Sequence, residues 1–140
     1  MPLIYRVMTR DGDKPKVGPT ARTLGVRVPP DPSPDIRPKS EGTVEPFIGG
    51  MSVAPDIYRL PVHRVPRRYS AYVPKAHGKE QDTCWRWGDG PFLAGNLSAG
   101  LSLRLDRPGH GLVEPAYRMP VSQFQLALEA TQDGWTLVEP

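Results

Sequence analysis

The hydrophobic positions of this 140-residue chain come in short runs separated by long polar, proline-rich stretches. Leu3-Ile4-Tyr5-Arg6-Val7-Met8 reads as a strand over residues 3–8. Side chains alternate across a strand, so Leu3, Tyr5 and Val7 share one face and Ile4, Arg6 and Met8 the other. Both faces are largely apolar, which projects Arg6 into a partly buried cleft. Leu24 to Val28 is a second candidate strand. Phe47 to Val53 is a third, entered by a tight turn at Gly49-Gly50, where glycine admits positive φ or the close approach of a ligand to the backbone. In Cys84-Trp85-Arg86-Trp87 the two tryptophans share a face opposite Arg86. They read as core or core edge, with a stacking platform for a base as the alternative. Leu101, Leu103 and Leu105 alternate with Ser102 and Arg104 as a half-buried strand. In a strand over His110 to Ala116, His110, Leu112 and Glu114 lie on one face. At ~3.3 Å per residue the imidazole and the carboxylate are then about 13 Å apart, flanking a site without touching.

Helical spacing appears once. Ser122 and Gln125 form a capping-box pattern, and Val121 is placed to pack on Leu126. Phe124, Ala127 and Leu128 give the apolar face, and Gly134 is the candidate terminator. The spacing predicts a helix over about 122–132.

Composition sharpens this picture. Eighteen prolines are more than double the usual share of about 5%. Proline fixes φ and removes a donor, which disfavours long helices and central strands. Residues 29–46 read as an extended loop, and residues 54–82 as a second proline- and charge-rich stretch. The expected architecture is α+β, one domain over residues 1–140, with short strands, few helices and long loops.

The net charge of +3 and a pI near 9.2 are mildly basic, too weak for a nucleic-acid footprint. The densest basic cluster, His63-Arg64-Val65-Pro66-Arg67-Arg68, reads as a solvated loop. A single cysteine, Cys84, excludes an intramolecular disulfide, reads as a packed residue, and fits a reducing, cytoplasmic setting. No run approaches the ~18 apolar residues of a membrane span, and no signal-peptide pattern is present. Export would therefore need a route that reads no cleaved signal.

Several chemistries have no motif here. His63, His77 and His110 lack metal-ligand spacing. There is no P-loop and no GxGxxG fingerprint, and Gly50-Met51-Ser52-Val53-Ala54 lacks the second glycine of a nucleophile elbow. What remains is an arginine, a serine, a histidine and a carboxylate, each on an apolar strand-like run: Arg6, Ser52, His110 and Glu114. That set suits cleavage of a dinucleotide such as NAD at its nicotinamide bond, through a transition state with cationic character on the ribose. Arginine holds phosphate or ribose with its planar fork. A hydroxyl braces the site, and a carboxylate or dipole offsets the developing positive charge. Tyr5, Tyr117 or a tryptophan supplies a ring to stack on nicotinamide.

The same residues carry a resemblance. Hydrophobic-Tyr5-Arg6 is similar to the first motif of arginine-type ADP-ribosyltransferases. Gly49-Gly50-Met51-Ser52-Val53 is similar to the Gly-Gly-x-Ser-Val motif of ADP-ribosyltransferase-like toxins delivered by the type VI secretion system. His110 to Ala116 followed by Met119 resembles their later segment, which precedes a C-terminal helix. The resemblance implies a compact mixed fold around two small sheets, NAD as cofactor, and Arg6, Ser52 and His110 as functional residues. Tyr5, Gly50 and Tyr117 would help bind the dinucleotide. It also implies action in the cytoplasm of a target bacterium, an unidentified macromolecular acceptor, and neutralisation by a cognate immunity protein or antitoxin, without membrane or nucleic-acid partners. Ser52 stands alone where the family has Ser-Thr-Ser, and Leu112 stands where a second Glu or Gln is usual. Transfer to an acceptor and bare hydrolysis of NAD both stay open.

The rival reading is a non-enzymatic, basic, proline-rich module for protein or RNA, built on Arg64, Arg67, Arg68, Tyr69 and Tyr72. A ribonuclease-type toxin with His110 as base has less in its favour, because no second catalytic constellation is evident.

Overall fold

A computed structural model describes residues 1–140. The strands in chain order are β1 (Ile4–Asp11), β2 (Lys14–Pro15), β3 (Thr43–Val44), β4 (Met51–Val53), β5 (Asp82–Trp87), β6 (Gly95–Asn96), β7 (Leu101–Arg107), β8 (His110–Pro115), β9 (Met119–Pro120) and β10 (Thr136–Leu137), with one helix, α1 (Val121–Glu129). They form a four-stranded sheet ordered β10-β5-β1-β2, a four-stranded sheet ordered β4-β8-β7-β6, and a two-stranded ribbon of β3 and β9. The fold is mostly β with one helix, an α+β chain of short strands. The pairings within the named sheets and ribbon are antiparallel.

Each face of β1 covers its own core. Ile4 and Met8 join a cluster with Trp85, Leu103, Val113, Phe124 and Leu128. Val7, on the other face, joins Ile57, Leu60, Val65, Tyr69 and Cys84. The second cluster is supplied largely by the proline-rich stretch 54–82. Proline prevents long regular elements there, so the chain packs as turns with two short 3-10 segments, Ile57–Arg59 and Arg67–Tyr69. Trp85 is fully buried, and its indole N–H donates to the Met8 carbonyl at 3.0 Å. Trp87 tilts against Trp135 with ring centroids 5.8 Å apart. Both tryptophans belong to the core, as their alternation with exposed Arg86 predicts. Cys84 is buried, and burial pushes its thiol up to about 12, so it packs and does not react.

Several expected elements take another form. Residues 24–28 form no strand, although Leu24 and Val26 are buried. Part of their backbone is satisfied by a side chain. Val26 N–H donates to Gln125 Oε1 at 3.1 Å, and Gln125 Nε2 donates to Leu24 O at 3.1 Å. Gln125 is thus spent across the core and makes no capping box; α1 starts after Pro120 with no side-chain cap. Leu126 is 65% exposed, so the staple on Val121 is absent too. The helix ends at Glu129, and Gly134 falls in a separate 3-10 turn, Gln132–Gly134. Leu105 breaks the buried alternation of β7, at 42% exposed. The strand expected from Phe47 is confined to Met51–Val53, because Phe47 adopts a left-handed φ of 73°. The 29–46 stretch is packed: Ile36 and Val44 are buried, and β3 lies within it.

A candidate anion-binding cleft

The two larger sheets meet where β1 passes the end of β4. Tyr5 and Ala54 exchange two backbone hydrogen bonds, each 2.9 Å. This contact carries Arg6 to β4, where its Nη1 donates to the Ser52 carbonyl at 2.9 Å. Nη2 donates to Ala21 O at 3.2 Å and Thr23 O at 3.0 Å, and Nε donates to Thr23 O at 3.3 Å. Arg6 is 7% exposed, and its hydrogen-bond partners are all carbonyl oxygens. Burial pulls its pKa down to about 10; Asp35 works against this, while Arg64 and Arg27 add to it. Arg6 is therefore still a cation at neutral pH.

Beside it opens a cleft of about 480 Å³ lined by Arg6, Ser52 and His110. Arg27, Arg59, Arg64, Arg107 and His63 complete its polar wall, and Asp35 is the one carboxylate among the lining residues. Asp35 is already committed: Arg27 grips it through Nε at 3.1 Å and Nη2 at 2.8 Å. Arg59 lies 3.5 Å from Asp56 and Arg107 3.9 Å from Asp106, so the excess of positive charge rests mainly on Arg6 and Arg64, which pair with no carboxylate. Where such cations converge, the chemistry favours an anion with several oxygens, phosphate above all.

His110 enters from the start of β8. Its Nδ1 lies 2.7 Å from Asp106 Oδ1. Burial raises the Asp106 carboxyl, but the hydrogen bond and charge of His110, with Arg107, outweigh it and hold the group below its usual value. Asp106 is then ionised at neutral pH. It fixes the proton on Nδ1 and leaves Nε2 as the free acceptor. Burial, Arg64 and His77 lower His63, which is neutral at the same pH.

Arg6, Ser52 and His110 are thus brought together from positions far apart in the chain. Glu114, Tyr5, Gly50 and Tyr117 do not line the cleft. Glu114 shares a strand face with His110, as alternation predicts, but sits at the far end. It is 5% exposed, and its Oε1 accepts from Arg104 Nε at 2.9 Å and from the Phe47 N–H at 2.9 Å. Tyr5 packs against the second core cluster. Gly50 is needed for close approach, but to β8: a Cβ there would stand 2.4 Å from Val113 O. Tyr117 is 55% exposed, beside Gly100.

The sequence reading missed Arg27, Arg59, Arg107 and Asp35, which are scattered and become a cluster only through the fold. His63 and Arg64 stood in the basic run and line the cleft, whereas Arg68 of the same run is engaged elsewhere. Arg68 donates to Thr83 Oγ1 at 3.0 Å and lies 5.1 Å over the Tyr69 ring. Tyr69 is buried, with its hydroxyl donating to Val138 O at 2.7 Å. The aromatic surface that an RNA-binding module needs is therefore not offered by Tyr69.

No protein-family model matches the chain, and a search of characterised proteins finds no match. No helix is long and apolar enough to cross a membrane.

Proposed function

We propose that the chain is an antibacterial, ADP-ribosyltransferase-like toxin that takes NAD into the cationic cleft and acts at the bond between nicotinamide and ribose. The observation that carries this reading is the convergence of Arg6, Ser52 and His110 on one cleft with a large excess of arginine. NAD fits the residues present. A cleft of about 480 Å³ is within the ~300–1,000 Å³ of small-ligand pockets, and a pyrophosphate suits Arg64 and Arg6, which pair with no carboxylate.

NAD when bound supplies a glycosidic bond whose electron pair leaves with nicotinamide. The chain supplies the rest. Arg64 and Arg107 bind phosphate oxygens at the mouth. Arg6 braces the floor, joining β1 to Ser52, and contributes its charge. The Ser52 hydroxyl is exposed on β4 and braces the ribose on the adenosine side of the pyrophosphate. His110 Nε2, held as an acceptor by Asp106, takes the proton from the attacking acceptor group or water. Asp35, already paired with Arg27, holds that arginine in the cleft wall and is not free to offset positive charge at the sugar. In this reading the fold is a compact variant of the ADP-ribosyltransferase architecture, and an immunity protein would block the cleft.

The test is nicotinamide release from NAD, with and without bacterial lysate, by wild type, His110→Asn and Arg64→Ala. Wild type is expected to release nicotinamide, with each variant slowed at least about tenfold. Dependence on lysate marks a transferase; independence marks a hydrolase. No release by folded wild type in either condition overturns the reading.

A further inference from the structure

Phe47 is the most unusual residue on the surface. It is 78% exposed, and it is the one non-glycine residue with positive φ, at 73°. A side chain with Cβ pays in backbone strain there, and strain of this kind persists only where surroundings enforce it. The enforcing group is identifiable. Phe47 N–H donates to Glu114 Oε1, a buried carboxylate whose charge is balanced by Arg104. The Arg104 guanidinium lies 5.6 Å from the centroid of the Phe47 ring. One side of the ring is thus backed by a planar cation and the rest stands open to solvent. Nothing in the core gains from this arrangement: Phe47 belongs to neither hydrophobic cluster.

The position of the ring relative to the cleft gives it a use. Ser52 pairs with Leu112, and Leu112 with Arg104, across β4, β8 and β7. His110, Leu112 and Glu114 follow one another on the same strand face. Ser52 is level with Leu112, so the Glu114 anchor of Phe47 lies about 7 Å beyond it, two residues along the strand. A ligand whose phosphates sit among the arginines and cross Ser52 reaches Phe47 with its other end.

We infer that Phe47 is a stacking platform for the adenine ring of a dinucleotide held in the cleft, and that Glu114 and Arg104 are positioning residues that preset it. This rests on the NAD reading above. The ring it takes is the neutral purine. Nicotinamide in NAD is itself a cation and is disfavoured beside Arg104, whereas a neutral heterocycle stacks on phenylalanine without that penalty.

The experiment measures binding of NAD, AMP and nicotinamide mononucleotide to wild type, Phe47→Ala, Phe47→Gly and Phe47→Trp, alongside thermal unfolding. Phe47→Ala and Phe47→Gly are expected to weaken AMP and NAD roughly five- to a hundredfold, the range of one aromatic–base stack. Nicotinamide mononucleotide should bind as in wild type. Phe47→Trp should retain AMP binding and report it by quenching of its fluorescence. Phe47→Gly relieves the strain, so its melting temperature should be no lower than that of wild type while its AMP affinity falls. NAD binding indifferent to Phe47, or dependence on Phe47 for nicotinamide mononucleotide instead of AMP, overturns this inference alone. A wild type that binds none of the three nucleotides overturns it together with the NAD reading.

Discussion

Arg6 shows how a residue can belong to a site and to the scaffold at once. Its guanidinium satisfies carbonyls of Ala21, Thr23 and Ser52 in a buried setting. On sequence alone, Arg6→Ala is expected to abolish activity and leave the fold intact. The geometry corrects this. Truncation strands several buried acceptors, each costing about 1–3 kcal/mol before relaxation. Arg6→Ala is therefore expected to lose about 2–4 kcal/mol of stability, read as a lower urea midpoint. Arg6→Lys should recover only part of it, because an ammonium cannot reproduce the planar fork. An unchanged midpoint in Arg6→Ala would mean that the carbonyls rehydrate freely. Activity is better probed at His110 and Arg64, whose contacts are not shared with the backbone of another sheet.

At the scale of elements, Gln125 is the outstanding case. It ties α1 to residues 24–26, whose only ladder contact is a single bridge from Leu24 to Val17, and also donates to Glu129 Oε2 at 2.8 Å. Gln125→Ala leaves the Val26 N–H without its partner, while the Leu24 carbonyl keeps only the Gly18 N–H at 3.2 Å, and is expected to cost about 1–3 kcal/mol. Hydrogen exchange at Val26 should rise in that variant, and protection equal to wild type would show that the segment holds without the helix. The case also explains what was legible beforehand. Strands such as β1, β7 and β8 declare themselves by alternation, since pleating forces successive side chains to opposite faces. Residues 24–28 alternate as well, but their backbone bonds go to scattered groups at Lys16, Gly18 and Asp35 and to Gln125 on the helix, so no ladder forms. The capping-box pattern at Ser122 and Gln125 is matched in sequence and unused in space, because a stronger buried demand captures the glutamine.

For the whole molecule the governing quantity is charge. Formal net charge is only +3, yet the fold gathers five arginines into one cleft. All four expected catalytic residues were legible as strand-borne side chains, and three of them, Arg6, Ser52 and His110, line the cleft. The basic wall was not, because its arginines come from loops, a 3-10 turn and the end of β7 with no common spacing. His63 makes the charge depend on pH. Its folded pKa lies below the ordinary value of about 6.5, so the unfolded chain binds the proton more tightly. Stability is then full above about pH 6.5 and falls as pH drops through the folded value. Binding of an anion moves the opposite way, since protonated His63 adds a cation to the wall. Melting temperatures at about pH 7.5 and about pH 5.5 should fall without ligand, while the increment from added pyrophosphate should grow. His63→Asn should lessen both changes, and a pyrophosphate increment that shrinks in acid would count against the cleft as the anion site.

The pairing of β1 with β5 has a further consequence, which concerns time. Ile4 is opposite Trp87, and Ser52 is opposite Leu112. A ribosome adding about 5–20 residues per second therefore extends the first strand long before its neighbour exists. The wall supplied by His110 comes later still. Throughout most of its synthesis the nascent chain carries every early component of the cleft and none of the cleft itself.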